Sequence, residues 1–233
     1  MGFIKSIFNV KGKVGNIVFK EDDGRLIIQA APHRRTVQSE KLKASNSAFG
    51  IVQSLYKVVT ASNDLKQLWR KEFPKRKGLN TFFIQKNRTF IRSDADVPNV
   101  LMSPKDNIFE VPGCEFSYEN KDLILRIPKL DASIGLNPHT ENFIEAAGFI
   151  HMYNRKESYS EPFAFRSVHS GLAEVQYSSD IILTLGRLEH KFESYQNMKA
   201  YENLDVFLVL ISLTEADQPV RTSQKMRFPL LLD

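Results

Sequence analysis

Five histidines (His33, His139, His151, His169 and His190) and one cysteine, Cys114, are the side chains best suited to metal binding or nucleophilic chemistry. No two histidines fall in an HExxH or HxH spacing, which would aim two imidazoles at one metal from a single helix or strand. Cys114 has no histidine beside it in sequence, so no Cys–His nucleophile is signalled. The Gly-x-Ser-x-Gly elbow is absent, and Ser170-Gly171 reads as a turn. Neither GxxxxGK[ST] nor GxGxxG occurs, so Gly12 and Gly15 do not form a phosphate loop. Carboxylates are frequent in the second half, at Glu115, Glu119, Asp122, Asp131, Glu141 and Glu145. A carboxylate pair can hydrolyse a glycosidic bond, but these residues fall mostly at turns, where a solvated surface is the default. Tyr153, Tyr159, Tyr177 and Tyr195 would suit a carbohydrate-binding sheet and serve equally well in a core. The expectation is a protein that is not an enzyme, with no catalytic residue, metal ligand, cofactor or small-molecule substrate identified.

Charge is the stronger signal. The chain of 233 residues has a net charge of +5. Residues 1–92 hold 19 Lys+Arg against 6 Asp+Glu, a balance of +13, and residues 93–233 hold 13 against 21, a balance of −8. Such a split fits an anionic partner for the first part, or the halves steering each other or neighbouring copies, or an uneven solvated surface. The cations Arg34, Arg35, Lys75, Arg76, Lys77, Lys86 and Arg88 are the candidate anionic-partner site. Nucleic-acid backbones take distributed cations, and aromatic rings between them can stack on bases. Trp69, Phe82 and Phe83 lie at helical spacing, however, where a core role is the simpler reading.

The elements that must carry these residues are legible in part. Lys13–Lys20 and Arg25–Ala30 alternate as strands around the turn Glu21-Asp22-Asp23-Gly24, predicting a two-stranded ribbon. A lone ribbon is marginal in water, so Ile17, Phe19 and Ile27 are the candidate assembly ribbon that must pack on the helices or on another copy. Ser39 is expected to cap a helix over about 40–61, with Leu42, Phe49, Val52, Tyr56 and Val59 on one face. Asn63 is expected to cap a second helix carrying Leu65, Leu68, Trp69 and Phe73 and stopped by Pro74. Leu79–Ile91 reads as a third, and Ser93–Asp106 as a linker or covering arm. From about 107 the period switches to two, with strands expected over 107–111, 115–118, 122–127, 142–154, 162–167, 172–186, 204–214 and 225–231.

The series Gly12-Lys13-Val14-Gly15, Gly24, Pro32, Ser39, Phe49, Leu65, Trp69 and Asn80 with Phe82 resembles a family of domains of unknown function from Bacteroidota. The resemblance covers residues 1–92, and the rest by pattern alone. It departs at the acidic turn Glu21–Asp23, where that family tends to place an aromatic and an arginine. It implies a bacterial source and supplies no activity or site.

These readings combine into an α+β protein. Residues 1–100 are expected to form a β-ribbon plus a basic helical domain, and residues 101–233 an antiparallel immunoglobulin/fibronectin-like β-sandwich. The start carries no uninterrupted apolar segment of the signal-peptide kind, and no stretch is long enough to span a bilayer. A single cysteine excludes an internal disulfide. A place in the cytoplasm or in a larger particle follows. The expected role is structural or interactive, with self or another protein as partner; nucleic acid bound by the basic helices is the alternative.

Overall fold

The computed structural model describes residues 12–14, 17–22, 25–30, 40–73, 78–104, 108–131, 134–154, 163–187 and 201–231. Contacts divide the chain into two compact units, Met1–Lys43 and Ala44–Asp233. The division falls within the first helix, after Lys43.

In the first unit β1 (Gly12–Val14), β2 (Ile17–Asp22) and β3 (Arg25–Ala30) form an antiparallel sheet in that order. The expected two-stranded ribbon is a three-stranded sheet instead: the stretch read as one strand over 13–20 is divided between β1 and β2, which fold back on each other, so that Ile17 lies opposite both Val14 and Ala30.

The second unit is α+β and has three layers. Its helices are α1 (Glu40–Val59, whose first residues belong to the first unit), α2 (Asn63–Glu72) and α3 (Leu79–Asn87). Its strands are β4 (Ile108–Phe109), β5 (Glu115–Glu119), β6 (Asp122–Ile127), β7 (Phe143–Tyr153), β8 (Phe163–His169), β9 (Ala173–Glu174), β10 (Ile181–Arg187), β11 (Asn203–Leu213), β12 (Pro219–Ser223) and β13 (Met226–Pro229). The central sheet runs β4-β12-β11-β7-β8, with β13 also beside β11 and β9 also beside β7. A smaller sheet, β10-β6-β5, covers one face and the helices cover the other.

The central pair β7 and β11 stays in antiparallel register from Phe143↔Leu213 to Tyr153↔Asn203. Side chains alternate across a strand. Ile144, Ala146, Ile150, Val206, Leu208 and Leu210 therefore enter the core shared with the small sheet. Ala147, Phe149, Phe207, Val209 and Ile211 enter the core shared with the helices. Both faces are buried, so the two strands read as continuous apolar runs. Phe149 and Phe207 stack across the register at 5.2 Å. At Gly148 a Cβ would collide with the Phe207 carbonyl, so the backbones approach closely only because that position has no side chain.

The helical layer corrects three expectations. On α1 the buried stripe is Ala48, Ile51, Val52, Leu55 and Val59, while Phe49 is 41% exposed. Ser62, not Asn63, caps α2: its Oγ accepts from the Leu65 N–H at 3.2 Å. The third helix ends at Asn87, leaving Phe90 beyond it and 50% exposed. Ser39, Leu42 and Pro74 lie outside the residues whose side chains are described.

The segment after α3 is the covering arm. Val97, Val100 and Met102 are buried in the helical core. Trp69 Nε1 donates to the Met102 carbonyl at 2.8 Å, and Asn87 Oδ1 accepts from the Leu101 N–H at 2.7 Å. Lys225 Nζ donates to the carbonyls of Pro98 and Val100. In the β region the expected strand 172–186 is two strands, β9 and β10, and β12 is a strand that the sequence pattern does not predict.

Gly148→Ala should destabilise the protein by roughly 2–3 kcal/mol, because a rigid carbonyl rather than a flexible side chain blocks the new methyl. The buried Trp69 is the sole tryptophan and supplies the fluorescence signal. An unchanged urea midpoint would remove the close-approach argument.

Candidate functional site

Of the expected cationic site, Lys86 and Arg88 are described, and both are exposed at the end of α3. Arg34, Arg35, Lys75, Arg76 and Lys77 lie outside the described residues. Lys86 Nζ sits 5.7 Å from the Phe82 ring centroid, and Arg88 Nη2 donates to Ser45 Oγ at 2.7 Å. That bond ties the end of α3 to α1. Phe49 follows Ser45 by one helical turn on α1 and is exposed, and Phe90, two residues after Arg88, is exposed as well. Arg92 is exposed beyond them. This combination of exposed rings and cations is hidden in the sequence, because both phenylalanines fall at spacings that read as helical apolar faces.

Of the expected assembly ribbon, Ile17 is 45% exposed. Phe19 and Ile27 occupy neighbouring positions on β2 and β3, where the described feature is backbone pairing: Phe19 lies opposite Ile28, and Ile27 opposite Lys20.

Among the described residues, no group of three or more His, Cys, Asp or Glu is placed to hold a metal ion. His139 and His169 are exposed, and His33 and His190 lie outside the described residues. His151 is buried in a stack, 4.7 Å from Tyr153 and 5.0 Å from Phe165. Cys114 is half-buried, and burial pushes its thiol up to about 11, so the thiolate that would react is scarce at neutral pH. Tyr177 is exposed, Tyr153 donates to Asp205 Oδ2 at 3.2 Å, and Tyr159 and Tyr195 lie outside the described residues.

Glu141 stands in a buried polar network. Arg221 binds it through Nε at 2.7 Å to Oε1 and through Nη2 to Oε2. Ser212 Oγ donates to Oε1 at 2.6 Å and the Asn137 N–H to Oε2 at 2.7 Å. Arg221 Nη2 also donates to the Gly135 carbonyl at 2.5 Å. Burial alone would raise the Glu141 carboxyl, but Arg221, Ser212 and Asn137 outweigh it and hold it below its usual range. The network fixes the 134–141 loop to β11 and β12, and every carboxylate oxygen is occupied. Beside it lies a groove of about 380 Å³ whose walls include Asn142, Tyr177, Glu174 and Glu215.

No family model matches the chain, and no curated protein matches it.

Arg221→Ala should cost about 3 kcal/mol at pH 7, because Glu141 then remains buried without its counter-charge. A carboxyl held low in the fold contributes stability above its unfolded pKa and loses it as pH falls through the folded value. The variant should therefore lose less stability than the parent between pH 6 and pH 3. Urea titrations at the two pH values check both expectations.

Proposed function

We propose that the protein is a non-enzymatic structural or interaction protein that self-assembles, or docks into a larger bacterial or phage-like assembly, through its N-terminal strands and basic helical region. The carrying observation is that Met1–Lys43 is set apart as a compact unit built on three short strands. Strands of three, six and six residues make a small sheet of a kind that needs an apolar face packed against something to be stable, and Ile17 is exposed. A second surface completes such a sheet. The immunoglobulin/fibronectin-like reading of the two packed sheets belongs to the same proposal, supported by the antiparallel pairing and the core between them.

Charge supports contact between copies. The unit Met1–Lys43 holds 9 Lys+Arg against 4 Asp+Glu, a balance of +5, and Ala44–Asp233 holds 23 of each. Within the latter, residues 44–92 carry +8 and residues 93–233 carry −8. A body with opposite charges on its helical and sheet parts favours head-to-tail contacts, which build rings or filaments. The place of action under this reading is the cytoplasm or a larger particle. No described helix is long and apolar enough to cross a membrane.

One observation favours a second reading. Phe49 and Phe90 are exposed, as are Lys86 and Arg88, and Arg88 is bonded to Ser45 one helical turn before Phe49; exposed rings and cations are what single-stranded nucleic acid takes.

Size-exclusion chromatography with light scattering separates the two readings, run at low and at about physiological salt with and without a short mixed-sequence DNA. Assembly predicts a mass that rises with protein concentration, ignores DNA and falls to the monomer in Ile17→Lys. A monomer that shifts with DNA, and releases it as salt rises, overturns assembly and selects the second reading. In that case Arg88→Glu should abolish the shift.

A further inference from the structure

Where α2 meets the central sheet, two carboxyls face each other. Ser62 Oγ accepts from the Leu65 N–H and donates to Glu145 Oε1 at 3.4 Å. Glu145 lies on β7 and is only 8% exposed. Its strand neighbours Phe143 and Ala147 both pack in the helical core. Asp64, in the first turn of α2 two residues after Ser62, comes within hydrogen-bonding reach of the Glu145 carboxyl. A hydrogen bond between two carboxyls requires that one of them carry a proton, since an ionised carboxylate only accepts.

The surroundings do not neutralise the pair. Asp217, in the turn between β11 and β12, adds a further negative charge near Asp64. Lys66 follows Asp64 by two residues on α2, and on the sheet the register sets Glu174 of β9 opposite Phe143 and His169 of β8 opposite Ala147, one to each side of Glu145 on the same face. Lys71, further along α2, donates to the Pro219 carbonyl at 2.6 Å. Arg221 is engaged with Glu141, and Glu141 is fully bonded. Burial, then the charge of Asp64 and its hydrogen bond, push Glu145 up to about 7 against the opposing Ser62 bond. Burial likewise raises Asp64.

We propose that the Asp64–Glu145 pair, with Ser62 bridging it to the cap of α2, is a proton-dependent latch between the helical layer and the central sheet. One shared proton closes it. With both carboxyls ionised, like charges confront each other at a buried contact, and the first turn of α2 loosens from β7. A carboxyl raised in the fold binds its proton more tightly folded than unfolded. Its contribution is therefore full at low pH, falls as pH rises from the ordinary carboxylate range, and is gone above about 7.

The test uses the full chain and reads urea unfolding and amide hydrogen exchange of residues 63–68, corrected for intrinsic rates, between pH 5.5 and 8. Glu145→Gln keeps a hydrogen-bonding side chain of the same shape but cannot titrate. The unfolding constant of the parent should rise on the order of tenfold more over this range than that of Glu145→Gln. Exchange in the first turns of α2 should accelerate with pH in the parent and not in the variant. Parent and variant are both compared in a His169→Gln background, which removes the one described histidine that the strand register sets beside Glu145. Asp64→Asn, which removes the opposing charge from the other side, should also flatten the profile and serves if Glu145→Gln fails to fold. Profiles of either variant that superimpose on the parent, in stability or in α2 exchange, overturn the latch.

Discussion

The antiparallel pairing of β7 with β11 is the constraint on which the second unit depends. The two strands hold register over their whole length and present apolar side chains to both faces. A one-residue slip would exchange the two sets of side chains, putting Phe149 and Phe207 where Ile150 and Leu208 belong. The stacked phenylalanines and the close approach at Gly148 oppose that slip. A helical layer and a small sheet can therefore be laid on opposite sides of one ladder.

Apolar burial holds the layers together without strong direction, and hydrogen bonds determine where their edges sit. The Trp69 indole and the Asn87 amide fasten the 100–102 segment to the helices. Lys225 reaches from the β12–β13 turn to the same segment. Glu141 with Arg221 anchors the loop before β7, and Ser62 joins the cap of α2 to Glu145. Each connects segments far apart in sequence, and each buried polar group would be costly to leave alone. The Asp64–Glu145 contact differs from the others in having two groups of the same charge.

The same layering changes the meaning of the charge split. Read along the chain, a basic front and an acidic back look like two domains that attract each other. In the fold the basic helices and the acidic β region are parts of one compact unit, and only Met1–Lys43 is set apart. The exposed Lys86 and Arg88 and the exposed Phe49 and Phe90 thus belong to the same unit as the acidic β region.

Local chemistry makes many elements readable along the chain. The turn at Asn120-Lys121 adopts positive φ at both residues, as a tight hairpin between β5 and β6 requires. The periods of α1, α2 and α3, the stop of α2 before Pro74, and the strands β6, β7 and β11 follow from spacing and turn residues. The sequence by itself thus determined the mixed α+β class and the position of most elements, because capping, turn geometry and side-chain periodicity act within a few residues. Only the tertiary structure decided that β7 and β11 are covered on both faces, that Phe49 faces outward while Trp69 is sealed in, and that Glu145 meets Asp64. Those outcomes depend on which distant surfaces compete for the same apolar area, and a linear pattern does not contain that competition.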